Sequence, residues 1–188
     1  MKKINKTEPG FLKKFIQKNR PVNWDGINEI RANLRQYILE SEQNYQCAYC
    51  ESAIIPDSSY SHIDHFKRKH FYPELTFDHN NLLVSCNNAD HCALFKDLKV
   101  KSRNIYNKII NPVLDEPQMF FEYHTNGKLH SKNEKAKFTE DIFNLNHPAL
   151  KQQRNNVAWA VVGYRETLEL DEVIAEIREF ESFIRYIW

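Results

Sequence analysis

Cys47-Ala48-Tyr49-Cys50, Ser61-His62-Ile63-Asp64-His65-Phe66-Lys67-Arg68-Lys69, Asn81-Leu82-Leu83-Val84-Ser85-Cys86 and His91-Cys92 are the stretches on which the reading of this chain turns. They contain all four of its cysteines. Two residues between Cys47 and Cys50 let both thiolates reach one ion from a tight knuckle. A second pair, Cys86 and Cys92, completes a tetrahedral four-sulfur shell, the closed geometry of structural zinc. Five residues separate that second pair, against the usual ~2–4, and His91 beside Cys92 offers an alternative ligand. A closed shell leaves no open position for substrate. Zn2+ here is therefore expected to hold the fold, with the ~10–16 kcal/mol of apparent binding free energy typical of such sites.

Chemistry is then sought between the two cysteine pairs. The alternation in Ser61 to Lys69 predicts a short strand with His62 and Asp64 on one face and Ile63 and His65 on the other. Phosphodiester hydrolysis needs a base to activate water and a cation to stabilise charge on the phosphate oxygens. A neutral imidazole near pH 7 suits the first role, and a hard carboxylate such as Asp64 suits Mg2+ or Mn2+ for the second. Asp-His pairs are commonly structural; the setting between two thiolate pairs favours function here. Asn81, placed before the apolar run into Cys86, is a candidate to hold the loop and orient the base. Lys96, four residues after Cys92, is a candidate phosphate contact.

Outward from this centre, composition sets bounds. A chain of 188 residues with 41% hydrophobic and 27% charged residues is an ordinary soluble globular protein, long enough for one compact domain. No apolar run approaches the ~20 residues that span a bilayer. Met1 to Lys6 is basic without a following apolar signal core, so a cytoplasmic location is expected, where disulfides do not persist. The net charge of +1 does not announce a nucleic-acid binder. Its distribution is uneven, however: Lys96, Lys99, Lys101, Arg103 and Lys108 form a basic stretch, and Glu166 to Glu181 holds seven carboxylates against Arg178. Cations gathered in this way can serve phosphates while the total stays near zero.

The expected division is an N-terminal helical region 1–44, a zinc-stabilised core 45–110, and a hairpin with C-terminal helices over 111–188, all within one compact domain. Ile27, Ile30, Leu34, Ile38 and Leu39 predict a helix from about Trp24 to Ser41, started by Asn23 and Asp25. Phe120 to Leu129 reads as a hairpin, with Asn126-Gly127 suited to a type I′ turn. Two closing helices follow. Pro148 begins the first, whose stripe includes Arg154 as a paired buried cation or a polar edge. The second carries Val173, Ile174, Ile177, Phe180, Ile184 and Ile187.

Cys-x-x-Cys, Asp-His, Asn-Leu, Cys and Cys-x-x-x-Lys in this order resemble the HNH endonuclease superfamily. The fuller string His62-Ile63-Asp64-His65-Phe66, Tyr72-Pro73-Glu74-Leu75 and Asn81 to Cys86 resembles the PtuB-like HNH nucleases of Septu and retron-associated anti-phage systems. Asn111-Pro112-Val113-Leu114-Asp115-Glu116-Pro117, Gly127, and Leu145-Asn146-His147-Pro148-Ala149-Leu150 with Arg154 extend the likeness, to roughly residues 45–160. The resemblance implies an α+β protein with a ββα-metal core, His65 as general base, Asp64 as ligand of a catalytic Mg2+ or Mn2+, Asn81 as the middle HNH residue, and Cys47, Cys50, Cys86 and Cys92 on zinc. It also implies nucleic acid as substrate, DNA before RNA, and an ATPase partner of the PtuA type, in some systems with a retron. One departure matters. The position after the fourth cysteine, often His or Asn in such motifs, is Ala93, so His91, with His62 behind it, is the expected replacement. Lys67, Arg68, Lys69, Lys96, Lys99 and Lys101 are the expected phosphate contacts. Two other readings stand beside this one: a zinc-knuckle binding subunit without catalysis, and an RNA- or tRNA-cleaving toxin of the same fold.

Overall fold

The computed structural model describes residues 1–188. It is a mixed α+β structure with two separate two-stranded antiparallel sheets. The first pairs β1 (Ser61–His65) with β2 (Leu82–Cys86), in a register that sets Ser61 opposite Cys86 and His65 opposite Leu82. Helix α3 (Cys92–Lys99) follows β2 directly. Leu82, Leu83 and Val84 are all buried, with α3 and a helix earlier in the chain packed against β2.

Two helices precede the sheet, α1 (Gly10–Asn19) and α2 (Asn28–Ile38). The helix expected over 24–41 is composite. A 3-10 turn, Trp24–Ile27, opens it, with the Asn23 side chain accepting from the Asp25 and Gly26 amides. A π turn, Leu39–Gln43, closes it and ends on left-handed Asn44. That wider turn brings Glu42 and Gln43 inward. Gln43 then acts as a surrogate strand beside β2: its side chain donates to Val84 O and accepts from Val84 N, both at 2.8 Å. Glu42, fully enclosed, accepts from Lys6, from the Thr7 amide at 2.9 Å and from His79 Nε2 at 2.7 Å, pinning the N-terminal segment to the entry of β2.

The expected hairpin forms from β3 (Phe121–Tyr123) and β4 (Leu129–Ser131), but its turn is not type I′. Only Gly127 has positive φ, at 80°; Asn126 does not. The Gly127 amide donates to His124 O and the His124 amide to Lys128 O, so a type I turn ends in a glycine bulge. α4 (Glu134–Phe143), capped by Asn133, was not foreseen, and α5 (Pro148–Tyr164) starts at its proline as expected. Arg154 is a buried cation satisfied by carbonyls, donating to Gly127 O at 2.6 Å and Leu145 O at 2.9 Å. The last expected helix is split. α6 (Leu170–Ile177) and α7 (Glu181–Ile187) are separated by left-handed Arg178 and Phe180. At that break, Glu51 reaches across from the cysteine knuckle: its carbonyl accepts from Phe180 N at 2.8 Å and its carboxylate from Ser182 N at 2.8 Å. Apolar residues from Ile4 to Ile184 belong to one continuous hydrophobic cluster. No helix is long and apolar enough to cross a membrane.

Candidate active site and metal centre

The knuckle Cys47–Cys50 lies against the end of β2 and the start of α3, so the four cysteines converge. Their sulfurs all lie within 4.8 Å of one another, and none is in a disulfide. A tetrahedral zinc with Zn–S of ~2.3 Å requires sulfurs ~3.8 Å apart; Cys47 Sγ and Cys92 Sγ are 3.8 Å apart. The Cys86 amide donates to Cys47 Sγ at 3.4 Å, which suits a thiolate. Burial opposes ionisation of Cys47, yet hydrogen bonds from the other three thiols hold it well below the usual thiol range, while burial pushes the Cys92 thiol up. Sulfurs this crowded and enclosed have the spacing that a divalent cation would complete. Four buried cysteines so placed could bind a structural zinc. His91, buried, sets Nδ1 3.1 Å from Cys92 Sγ and 3.8 Å from Cys86 Sγ. It faces the sulfurs and is absent from the cleft described next.

That cleft, of about 260 Å3, runs beside the C-terminal end of β1. His62, Asp64, His65, Lys69 and Asp97 line it, with Trp24 from the N-terminal region. The strand parity expected from sequence is blurred at this end, since Asp64 and His65 are both buried and both reach the cleft. His65 Nε2 lies 3.0 Å from Thr76 O. A carbonyl only accepts, so the proton sits on Nε2 and Nδ1 keeps its lone pair. The Trp24 ring meets the imidazole edge-on, with centroids 4.5 Å apart. Burial depresses the basicity of His65 below the ordinary imidazole value, so the ring is neutral at pH 7.

Asp64 is fixed from two sides. The Tyr49 hydroxyl donates to Oδ2, and Lys96 Nζ donates to Oδ1 at 3.2 Å. Burial and the Asp64 charge raise the phenol's pKa well above its ordinary range, so Tyr49 remains a donor. Lys96 departs from expectation. It is wholly enclosed, and its ammonium also donates to His65 O at 3.0 Å and Phe66 O at 3.1 Å. In this position it cannot reach a phosphate. Asn81 holds the loop after β1 rather than the imidazole itself: it accepts from Lys67 N at 2.8 Å and donates to Lys67 O at 2.9 Å and Leu75 O at 3.3 Å. Its hold on Leu75 steadies the adjacent Thr76 carbonyl, which is the ring's direct partner. His62 Nδ1 donates to Asn87 Oδ1 at 2.7 Å, which leaves Nε2 as the free nitrogen.

Among the expected phosphate contacts, Lys69, Lys99 and Lys101 are exposed. Lys67 stands 5.2 Å over the Tyr72 ring, whose other cationic neighbour is Arg103 at 4.2 Å. Arg68 instead closes the end of α3, donating to Asp97 O at 2.8 Å and Val100 O at 3.2 Å.

No family model matches the chain. Over 144 residues, 77% of this chain, it is 30% identical to the Septu protein PtuB of Bacillus thuringiensis. The chain is similar to a Septu PtuB. The aligned part covers 51% of that relative, so the chain spans about half the length of the curated PtuB it matches. In this chain the four cysteines gather in one cluster, and one cleft holds Asp64 and His65 together. Trp24, Tyr49, Thr76 and Asp97 escaped the sequence reading. Tyr49 alone had a signal, as an aromatic donor inside the Cys-x-x-Cys knuckle.

Proposed function

We propose that this chain is a metal-dependent nuclease of the HNH type, acting as the effector of a Septu-like anti-phage system with an ATPase partner of the PtuA kind. The observation that carries the reading is one cleft holding a neutral imidazole with its Nε2 proton fixed and, next to it in sequence, a buried carboxylate. The order β1, β2, α3, with four thiols clamping its base, is the arrangement a ββα-metal core would need. Likeness to a Septu PtuB supports the defence setting and the partner; the retron association rests on the sequence resemblance alone.

His65 Nδ1 takes a proton from water as the water oxygen attacks phosphorus; the bond from phosphorus to the leaving oxygen breaks, and that oxygen takes a proton from solvent water. Thr76 O holds the ring's tautomer and stabilises the imidazolium that forms, as an orienting acceptor does in other general-base sites. Trp24 covers one side of the ring and keeps bulk water from it. A divalent Mg2+ or Mn2+ bound at Asp64 would offset charge on the phosphate oxygens. Tyr49 and Lys96 hold Asp64 in place, and His62, through Nε2, is the second candidate ligand in place of His91. Lys69, Lys99 and Lys101 supply contacts to the phosphate backbone, which carry no base sequence.

Purified zinc-loaded protein with Mn2+ is expected to cut nucleic acid, and His65→Ala to lose cutting by ~100-fold or more while zinc content stays the same. Because His65 must be unprotonated and its basicity is depressed, the rate should hold down to a pH below the ordinary imidazole value of 6.5 and fall only beneath it. Equal cutting by the wild type and His65→Ala would refute the assignment. Ala93 and the Lys96 ammonium seated on Asp64 favour the rival reading, a binding subunit without catalysis; retention in gel shifts without any Mn2+-dependent cleavage would select it. Parallel digestion of duplex DNA, single strands and total RNA separates a DNase from an RNA-cleaving toxin.

A further inference from the structure

The loop that leaves β1 gathers cations on an aromatic ring. The Phe71 and Tyr72 amides both donate to Arg68 O at 2.9 Å, a turn that sets Tyr72 two residues beyond His70, which lines the cleft. Arg103 Cζ lies 4.2 Å from the centroid of the Tyr72 ring and Lys67 Nζ 5.2 Å from it. The ring is fixed in turn. Its partner Tyr106 meets it edge-on, with centroids 5.6 Å apart, and its hydroxyl donates to Arg103 O at 3.2 Å. Arg103 also donates to Glu74 Oε1 at 2.7 Å. An arginine on a surface ordinarily samples many rotamers; this one is held by a ring and a carboxylate while 55% of its side chain stays open to solvent. Holding a contact group in place beforehand lowers the entropy lost when a ligand binds. Arg68, Lys96 and Arg103 each pair with a carboxylate, and Lys67 among them does not. Like charges on one ring repel, and Glu74 offsets only one of them, so an anion beside Lys67 would relieve the pair.

We propose that Tyr72 and Arg103 form a stacking platform for an unpaired nucleobase at the edge of the cleft, with Lys67 on a phosphate of the same strand. This rests on reading the cleft as a nuclease site and names the form of its substrate, a single or locally opened strand. A guanidinium backed by a phenol is a flat cation on which any base can stack, without regard to sequence. A base inside a duplex already has both faces covered, so the platform discriminates by strandedness.

The probes are a short DNA strand in which 2-aminopurine replaces adenine, its RNA counterpart, and the same DNA strand annealed to its complement. Each is titrated with the full zinc-loaded chain without added Mn2+, so that nothing is cut. Stacking quenches 2-aminopurine, and both single strands are expected to be quenched and to bind more tightly than the duplex. Arg103→Lys keeps the charge and loses the plane. It should lower single-strand affinity at least fivefold relative to duplex and abolish the quenching, with the salt dependence unchanged. Tyr72→Leu, which removes the backing ring, should act in the same direction. Wild-type affinity and quenching in Arg103→Lys overturn the proposal, as does a wild-type chain that binds duplex as tightly as single strands. A wild-type chain that quenches but never cuts with Mn2+ keeps the platform and removes the hydrolytic reading. Cutting that depends on His65 in a chain that never quenches does the reverse.

Discussion

Lys96 carries its charge where no solvent reaches, and every contact it makes is to the protein itself. Removing one member of a buried ion pair leaves the other uncompensated, at a cost of about 3–5 kcal/mol. Lys96→Met should therefore lower unfolding free energy by that order in urea titrations and disorder Asp64. It should leave the salt dependence of nucleic-acid binding unchanged. Lys69→Ala, at an exposed cation on the cleft rim, should do the reverse: stability holds, while the slope of log affinity against log salt falls by about one. The contrast shows why residue roles were only partly legible in sequence. Asp64 and His65 could be singled out because their chemistry and their position between thiolate pairs agree. A lysine four residues after Cys92 looks the same whether it faces solvent or the interior. Its burial is decided by where α3 packs against β2, which carries the Lys96 ammonium to the end of β1, a long-range contact without local signature. Asp97 and Trp24 were hidden for the same reason.

At the scale of elements, the hairpin is the clearest case. Gly127 has φ 80°, and a Cβ there would stand 2.0 Å from Lys151 O and 2.9 Å from Asn155 N on α5. Gly127→Ala should thus cost more than about 1 kcal/mol, read as a lowered urea midpoint with an unchanged m value, since both the backbone and the helix packing are violated. Asn126-Gly127 announced a turn correctly. The choice between two turn types depended on the packing of α5, which the dipeptide does not encode. Helix α2 and helix α5 were readable from their apolar period and from Asn23 and Pro148. The split between α6 and α7 was not, because Phe180 continues the apolar stripe while adopting φ 51°. It is held there by Glu51, 129 positions earlier in the chain, a partner that no local pattern reveals.

Across the whole molecule, the N-terminal region 1–44 reaches both the cleft and the sheet beside it. Trp24 walls the imidazole, Lys6 and Glu42 anchor the entry to β2, and Gln43 completes its edge. A truncation that removes residues 1–44 to test partner binding would therefore damage the cleft as well. Surface variants suit that purpose better; Trp159 on α5, 71% exposed, is a practical position.

Glu51 sits one residue past Cys50 and latches α7 by way of Phe180 and Ser182. Chelating a zinc held by the thiol cluster would free the knuckle, and with it the latch, so the far tail should become the first segment a protease can enter. Limited trypsin digestion is expected to nick at Arg178 or Arg185 soon after chelator is added, while the metal-loaded chain resists. A tail that stays equally protected in both states would show that the latch does not depend on the knuckle. The C-terminus would then serve as a gauge of metal occupancy, readable on a gel without any assay of cutting.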